Sequence, residues 1–283
     1  MMFFSLIPVI FTFNFVTFRN KLYLQNHYTY VNQFNTLNDN EEIENIENIL
    51  RFKKPTDVLP ENEELKRLRK LRNENKTITI SPGGFMGIYM LGICKFIKTN
   101  YETKEYIFSG ASAGSWNSLY MVCKKDIDFT EIEKCIMKND KIYDIELSIK
   151  DYLLRQFSND DFDLSRLSIT LITLQHCKLH KTVYNKFDNL EDAIDCCIAS
   201  CHIPFITGGL YCKYKKRISF DGAYVFSSNN SFLHISPDMW FLNHFDLTVF
   251  SKFSKKSYNI YQLYYYGYLH ASTFKLLLDN LLL

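Results

Sequence analysis

The sequence has almost no excess of charge of either sign, since its 283 residues carry a formal net charge of only +2. Its basic clusters are short and interleaved with other residues, and they are Lys66-Arg67, Arg69-Lys70 and Lys213–Arg217. Such clusters argue against nucleic acid as a partner. The chain also lacks internal repeats and low-complexity linkers. Its length and its apolar fraction of 47% therefore predict one large domain with an extension.

The paired Cys-x-x-Cys spacing of a structural zinc site is also missing. Several of the eight cysteines fall in predicted helices beside apolar residues, which is typical of reduced, buried thiols rather than of a disulfide framework. Two groups combine metal-binding residue types without the zinc spacing: His176, Cys177 and His180, and Cys197, Cys201 and His202. We therefore expect no metal ion.

The most informative stretch is Gly110–Gly114, which reads Gly-Ala-Ser-Ala-Gly. An apolar run, Tyr106–Phe108, precedes it and a run typical of a helix, Trp116–Met121, follows it, so the pattern predicts a strand, a sharp turn and a helix. Small residues on both sides let the backbone turn sharply and leave the Ser112 hydroxyl exposed at the tip. Ser112 is thus a candidate nucleophile for the hydrolysis of acyl esters.

A glycine-rich loop lies upstream of this serine. Thr77–Ile80 alternates and is β-branched, as a strand should be, and it leads through Ser81–Gly87 into a segment with helical spacing. In such a turn the bare amides of Gly83 and Gly84 point at one oxygen, and the helix dipole favours negative charge there. The loop lacks the signatures of phosphate and dinucleotide loops. It suits a tetrahedral oxyanion, and an ordinary strand–helix turn is the alternative.

The third motif is Phe220–Ala223, in which Asp221 and Gly222 follow a short predicted strand. An Asp-Gly pair by itself is typical of a turn. Here it gains weight from its place downstream of the glycine loop and of Ser112. A carboxylate within roughly 2.6–3.2 Å of a serine hydroxyl is able to take its proton.

Together, these three motifs resemble the patatin-like phospholipase family over about residues 76–235. Two further stretches, Ala193–Phe205 and Leu263–Ala271, resemble the family's helix that ends at a proline and its closing helix. The resemblance implies a lipid acyl hydrolase that cleaves carboxylic esters of phospholipids or acylglycerols through an acyl-enzyme. It implies no metal and no organic cofactor, and it makes the lipids of a membrane or lipid-droplet surface the expected partners.

Carried over position by position, the resemblance gives each motif a role. Ser112 is the implied nucleophile and Asp221 is its implied general base, with no histidine between them. The implied oxyanion hole consists of Gly83, Gly84 and the amide of Phe85. The implied motif glycines are Gly87, Gly110, Gly114 and Gly222.

Two positions depart from the usual family pattern. Pro82 replaces the first glycine of the family's glycine triplet and has no amide to donate. Met86 stands where a basic residue is common. The run Phe85–Tyr89 is similar to the branch that contains adipose triglyceride lipase, which leaves the preference between phospholipids and neutral glycerides open.

Two other interpretations of the same residues stay open. In α/β-hydrolases the triad follows the order serine, acid, histidine, and in this chain Ser112 and Asp221 precede His234, His244 and His270. The other alternative is a catalytically silent relative that binds lipid, because Pro82 removes one amide from the glycine loop.

From Thr77 onward, predicted strands alternate with predicted helices, which favours an α/β three-layer sandwich around a mostly parallel sheet; the resemblance makes this sandwich patatin-like. The predicted strands are 77–81, 106–109, 167–174 and 217–220, and the predicted helices are 87–98, 113–123, 130–138, 190–200 and 258–280. Residues 140–165 are a candidate lid. Ser112 and the glycine loop are expected at the carboxyl ends of strands, where such sheets place their sites.

The N-terminal part differs from the rest of the chain. Residues 1–21 are mostly apolar and end in basic residues, so we expect a membrane anchor or an interfacial segment, with the catalytic domain in the cytosol. A segment buried in the globular body and a signal peptide are the alternatives. Residues 22–75 are predicted to form a helical extension with two short amphipathic helices. Residues 76–283 are the predicted catalytic domain, with a motif-bearing core over 76–235.

Overall fold

The computed structural model describes residues 63–228, 231–240 and 259–283. All of these residues belong to one compact unit. The predicted anchor, residues 1–21, and residues 22–62 of the predicted extension lie outside the described residues. The described end of the extension is a helix that packs against the C-terminal helix.

Strands and helices alternate over much of the described chain. The strands are β1 (Thr77–Ile80), β2 (Ile107–Gly110), β3 (Leu167–Gln175), β4 (Lys178–Tyr184), β5 (Cys212–Tyr214), β6 (Arg217–Phe220) and β7 (Leu233–Ile235). The helices are α1 (Glu63–Asn75), α2 (Gly87–Asn100), α3 (Ala113–Val122), α4 (Phe129–Lys138), α5 (Ile142–Gln156), α6 (Leu190–Ser200), α7 (Ile260–Thr273) and α8 (Lys275–Leu282). Short 3-10 turns follow β1 and β6.

The described strands form one mixed sheet in the order β5-β6-β3-β2-β1-β7, and β4 also pairs with β3. β3, β2, β1 and β7 are mutually parallel. β4 and β6 run antiparallel to β3, and β5 runs antiparallel to β6. Five of the seven described strands, namely β1, β2, β3, β5 and β7, therefore point the same way. The fold is α/β with a mixed, mostly parallel sheet, which is consistent with the predicted three-layer arrangement.

The central strands are buried between helices, as parallel strands usually are. In β1, Ile78 and Ile80 are fully buried and Thr79 is nearly so. α3 packs on β1, β2 and β3, and α6 packs on β3. The register pairs Ile80 with Gly110, so β1 and β2 end side by side. The two turns that follow these strands are thereby brought together.

Most of the predicted elements are confirmed, and their ends agree with the structure to within two residues. They correspond to β1, β2, β3, β6, α2, α3, α4 and α6. The predicted single helix over 258–280 is wrong, because α7 and α8 meet at Phe274, whose ring stacks on Trp240 with centroids 4.7 Å apart. The candidate lid, 140–165, contains α5. β4 was not predicted because its side chains are largely exposed and polar, without apolar alternation.

Helices α2 and α7 pack backbone to backbone through two glycines. A Cβ added to Gly92 would lie 2.0 Å from the carbonyl oxygen of Tyr264, and a Cβ on Gly267 would lie 1.9 Å from that of Tyr89. A larger residue at either position would push the helices apart. The pair therefore fixes α2, which begins at the glycine loop, on the body of the protein.

Candidate active site

Ser112 lies in a sharp turn between β2 and α3, as the sequence predicts. Its backbone has φ 53° and ψ −132°, a conformation that costs a non-glycine residue about 1–3 kcal/mol. The Ser112 amide donates a hydrogen bond to Ser200 Oγ at 2.9 Å. The Ser112 carbonyl accepts hydrogen bonds from the Ser115 amide at 2.8 Å and from the Ser115 hydroxyl at 2.6 Å. These contacts hold the turn in its strained form.

The four motif glycines lie where another part of the chain comes too close for a side chain. A Cβ added to each would lie 2.0–2.7 Å from a neighbour: Ala113 Cβ for Gly87, Gly114 O for Gly110, Ile80 O for Gly114 and Thr170 O for Gly222. These distances are far inside normal van der Waals separation. The glycines therefore let the ends of the central strands and the following turns converge at one place.

The structure brings Ser112 and Asp221 together, although they are 109 residues apart in the chain. Ser112 Oγ donates a hydrogen bond to Asp221 Oδ2 at 2.8 Å. The amide of Ala223 donates to the other carboxylate oxygen, Oδ1, at 2.7 Å. Both residues are buried, with exposed fractions of 6% for Ser112 and 2% for Asp221. The predicted exposure of Ser112 at the tip of its turn is therefore wrong. The hydroxyl is thus within the distance needed for direct proton transfer to the carboxylate.

The surroundings of Asp221 make it a base suited to neutral pH. Burial raises the pKa of its carboxyl to about 6, while hydrogen bonds from the Ala223 amide and the Ser112 hydroxyl lower it. Desolvation disfavours the charged form, and hydrogen bonds to that form favour it. The carboxyl is therefore ionised at pH 7 and yet more basic than an exposed aspartate, as a general base should be.

The glycine loop ends in a 3-10 turn, Gly84–Met86, that runs directly into α2. Gly84 has φ 56°, a conformation that favours glycine. Among the described residues, none accepts a hydrogen bond from the amides of Gly84 and Phe85, which is expected at the start of a helix. Gly84 and Phe85 line the same cavity as Ser112. Gly83, the third predicted residue of the oxyanion hole, caps the turn, and its carbonyl accepts a hydrogen bond from the Met86 amide. Unlike Gly84 and Phe85, it is not one of the residues that line the cavity beside Ser112.

Asn117 ties the glycine loop to the serine turn. Its buried side chain donates a hydrogen bond from Nδ2 to the carbonyl of Gly87 at 2.9 Å. Because Asn117 belongs to α3, which begins beside Ser112, this bond fixes the unpaired amides relative to the nucleophile. Pro82, at the start of the loop, contributes no amide.

An apolar cavity lies beside Ser112. Its volume is about 170 Å³, similar to that of an engineered cavity of about 150 Å³ that binds benzene. Its apolar side chains include those of Phe85, Ile88, Leu91, Trp116, Leu119, Tyr120, Ile127, Phe129, Ile132, Ile136, Ile142, Ile145, Ile149, Leu153 and Tyr264. One face of α5, in the candidate lid, supplies four of them. The lining suits a hydrocarbon chain attached to a group at Ser112.

Glu146 is an acidic residue in this largely apolar lining, and the sequence analysis missed it. Its side chain is buried. Burial raises the pKa of the Glu146 carboxyl to about 8, while hydrogen bonds from Cys201 and Trp116 lower it. Glu146 is therefore mostly protonated at pH 7, which makes its burial tolerable. The available signal was an acidic residue on the apolar face of α5, between Ile145 and Ile149.

Ser200 is a second functional candidate that the sequence analysis missed. It ends α6, is fully buried, and donates a hydrogen bond from Oγ to the Thr170 carbonyl at 2.7 Å. The same oxygen accepts the bond from the Ser112 amide. Ser200 therefore connects the serine turn to β3. Its only signal is the small-residue run Ala199–Cys201, which predicts close packing but no particular hydrogen bond.

The late histidines do not complete a triad in the described part of the chain. His234 Nδ1 shares a hydrogen bond with Thr79 Oγ1 at 2.8 Å, and His270 Nδ1 shares one with the Tyr89 hydroxyl at 2.8 Å. His244 lies outside the described residues. Among those residues, no histidine side chain is hydrogen-bonded to the candidate nucleophile or to its acidic partner. The geometry therefore favours a dyad over a Ser-His-Asp triad.

Three further features bear on the sequence predictions. Where the structure describes the chain, no group of three His, Cys, Asp or Glu side chains is placed to hold a metal ion. All eight cysteines are free thiols and five of them are buried. No helix among the described residues combines the length and the apolar character needed to cross a membrane.

We compared the sequence with protein-family models and with curated proteins, and neither comparison gave a match.

Proposed function

We propose that the protein is a lipid acyl hydrolase that cleaves carboxylic esters of phospholipids or acylglycerols. The observation that carries the proposal is the 2.8 Å hydrogen bond from Ser112 Oγ to Asp221 Oδ2. Unpaired amides and an apolar cavity adjoin this pair, and a lipid hydrolase needs all of these parts. The order of the motifs along the chain supports a patatin-like fold and a patatin-like mechanism as part of the same proposal.

In the first half of the proposed reaction, Asp221 accepts the proton of the Ser112 hydroxyl while Oγ attacks the carbonyl carbon of the ester. The negative charge that develops on the carbonyl oxygen is stabilised by the amides of Gly84 and Phe85. When the tetrahedral intermediate collapses, the bond to the leaving alcohol breaks and the alcohol takes the proton from Asp221. The products are the free alcohol and an acyl ester on Ser112.

The second half repeats the same steps with water as the nucleophile. Asp221 accepts one proton from water as its oxygen attacks the acyl carbonyl, and the same amides stabilise the second oxyanion. Collapse breaks the bond to Ser112 Oγ, which takes the proton back from Asp221. A carboxylic acid is released and both side chains return to their starting states.

The apolar cavity supports a hydrocarbon acyl group as the substrate moiety. An alkyl chain in this cavity loses its contact with water, which is favourable by about 0.8 kcal/mol per buried methylene group. Membrane or lipid-droplet lipids are then the proposed partners. The buried free thiols support a catalytic domain on the cytosolic side of that surface.

Two serine variants test the proposal. Ser112→Ala removes the nucleophile, whereas Ser109→Ala changes a half-buried serine of β2 three residues away and is the matched control. A serine-reactive phosphonate probe is expected to label the wild type and the control but not Ser112→Ala. Release of fatty acid from dispersed phospholipid or acylglycerol is expected to fall by at least about 10³-fold in Ser112→Ala alone.

Two outcomes contradict the proposal. Equal labelling of Ser112→Ala and the wild type would show that the reactive nucleophile is a residue other than Ser112. A folded wild type that neither reacts with the probe nor releases fatty acid would favour the catalytically silent lipid-binding alternative.

A further inference from the structure

The antiparallel strands carry the sheet beyond the edge at which Ser112 lies. β2 ends at Gly110, opposite Ile169, whereas β3 continues to Gln175. At about 3.3 Å per residue, this part of β3 is roughly 20 Å long. β4 and β6 pair with it. The two hairpins therefore project past the edge of the sheet that holds the candidate nucleophile.

The segment between α6 and β5, residues 203–211, forms an exposed apolar loop, which we call the docking loop. Four large apolar side chains in it are exposed: Phe205 by 80%, Ile206 by 52%, Leu210 by 56% and Tyr211 by 49%. Single exposed apolar residues are normal, but a contiguous set marks an interaction surface.

The docking loop borders the cavity. Thr207, in the middle of the loop, is one of the residues that line it. A Cβ built on Gly208 would lie 3.9 Å from the Tyr143 ring, so the loop approaches the start of α5. Tyr143 and Leu147 of α5 are also exposed, while Ile145 of the same helix lines the cavity. The exposed apolar surface is therefore continuous with the cavity lining.

Basic side chains flank the docking loop. Lys213, Lys216 and Arg217 in the β5–β6 hairpin are exposed, and none of them forms an ion pair with a described carboxylate. Lys215, between them, is paired with Asp192 at 2.9 Å. The Lys213 ammonium lies 5.7 Å from the centre of the Tyr211 ring. Apolar and cationic groups thus share one surface.

We propose that the docking loop and the β5–β6 hairpin together bind an anionic lipid surface and place the cavity mouth against it. This proposal rests on the proposed lipid hydrolase and adds the surface by which it meets its substrate. Apolar side chains insert among acyl chains, and nearby cations are attracted to anionic headgroups. Continuity with the cavity favours lipid over a protein partner, because an ester lifted from the surface passes directly into an apolar space.

Vesicle binding by the full chain tests this docking surface. All proteins carry Ser112→Ala, so the vesicles stay intact, and the vesicles are phosphatidylcholine with or without phosphatidylserine. Phe205→Ser combined with Ile206→Ser is expected to weaken binding to both vesicles by about tenfold or more. Lys213→Gln combined with Lys216→Gln is expected to weaken binding by about fivefold per lysine, and only where phosphatidylserine is present. Ile107→Ser, an exposed apolar residue at the opposite end of β2, is the control.

A depth measurement makes the test specific to the loop, whatever other segments of the chain bind lipid. The fluorescence of a tryptophan introduced by Phe205→Trp is expected to be quenched by lipids with brominated acyl chains. For Ile107→Trp we expect no quenching beyond that of the two native tryptophans. Equal quenching for the two variants would overturn the docking surface. The docking surface would also be overturned if neither double variant changed vesicle binding. A third contradicting result would be that the double variants abolish self-association of the protein and leave vesicle binding intact.

The two proposals fail separately, because binding is measured on inactive protein. Weakened vesicle binding in the double variants, with no hydrolysis by the wild type, would overturn the proposed hydrolase and leave the docking surface standing. Normal hydrolysis by the wild type, with binding unchanged in the double variants, would overturn the docking surface alone.

Discussion

The two halves of the sheet contribute different parts of the candidate site. In the parallel half, β1 and β2 end side by side and each continues through a tight turn into a helix, which places Ser112 beside the unpaired amides. In the antiparallel half, β6 delivers Asp221. The carbonyl that holds Ser200 belongs to β3, the strand that pairs with both halves. The nucleophile therefore depends on local turns, whereas its base depends on contacts between distant parts of the chain.

Asp221→Asn is expected to have the largest effect, because it removes the base that the antiparallel half of the sheet supplies. It keeps the shape of the side chain and removes the base, so kcat/KM for ester hydrolysis is expected to fall by about 10²–10⁴-fold. Burial raises the pKa of Asp221 in the folded protein to about 6, above its value in the unfolded chain. The free energy of unfolding of the wild type therefore falls as pH rises from about 4 to about 6, because the buried carboxyl becomes charged. The variant is therefore expected to be more stable than the wild type at pH 7, by about 2–3 kcal/mol.

Steady-state kinetics and denaturant unfolding check the two expectations for Asp221→Asn. For the wild type, kcat/KM is expected to decline about tenfold per pH unit below pH 6, as the base is protonated. Full activity in the variant would remove Asp221 from the mechanism and leave only the parallel half in the site.

Glu146→Gln tests the second buried carboxyl. The folded pKa of Glu146 is raised to about 8, so its contribution to stability is largest at low pH and is lost as pH rises through 8. Between pH 5 and pH 8 the free energy of unfolding of the wild type is expected to fall by up to about 4 kcal/mol. Glu146→Gln has no carboxyl at this position and is expected not to show this fall. Denaturant unfolding at both pH values measures this difference. Asp144→Asn, an exposed carboxylate in the same helix, is the control, and equal pH dependence in both variants would contradict the assignment.

Gly222→Ala tests the contact between the base and the sheet. The new Cβ would lie 2.0 Å from the carbonyl oxygen of Thr170, so the loop that carries Asp221 has to move. We expect a loss of about 2 kcal/mol or more in the free energy of unfolding, together with reduced hydrolysis. Gly209→Ala is the matched control, because nothing lies within 4 Å of its added Cβ. Similar unfolding free energies for the two variants would show that the close approach does not matter.

Ser200→Ala is expected to have the smallest effect. It leaves the buried Ser112 amide without its partner and removes the hydrogen bond to the Thr170 carbonyl, at a cost of about 1–3 kcal/mol. The nucleophile and base remain, so kcat is expected to fall more than KM changes, because the serine turn is less well positioned. Ser200→Thr keeps the hydroxyl and is expected to restore part of kcat. A change in KM alone would contradict a positioning role.

The parallel half of the site could be predicted from the sequence because its parts are consecutive. Strand, small-residue turn and helix follow one another twice, so Ser112, Gly84 and Phe85 are identifiable from local pattern. The close approach of Gly114 to Ile80 explains why the small residues are required. Local steric limits of this kind leave a clear trace in a single sequence.

The antiparallel half was less predictable because it depends on contacts between residues far apart in the chain. Asp221 was found only through its order among the motifs, since an Asp-Gly pair is usually a turn. Ser200 and Glu146 look like ordinary members of helices until the packing of α5 and α6 is known. Strands β4 and β5 carry too few buried apolar residues to give an alternating pattern.

The most direct test of the account is to map the acyl group on the protein during turnover. A slowly hydrolysed long-chain ester is mixed with the wild type, the reaction is quenched in acid, and the peptides are analysed by mass spectrometry. The account predicts one acyl adduct, on Ser112, that is lost in Ser112→Ala and forms far more slowly in Asp221→Asn. An adduct on another residue, or hydrolysis that proceeds with an unmodified Ser112, would contradict it.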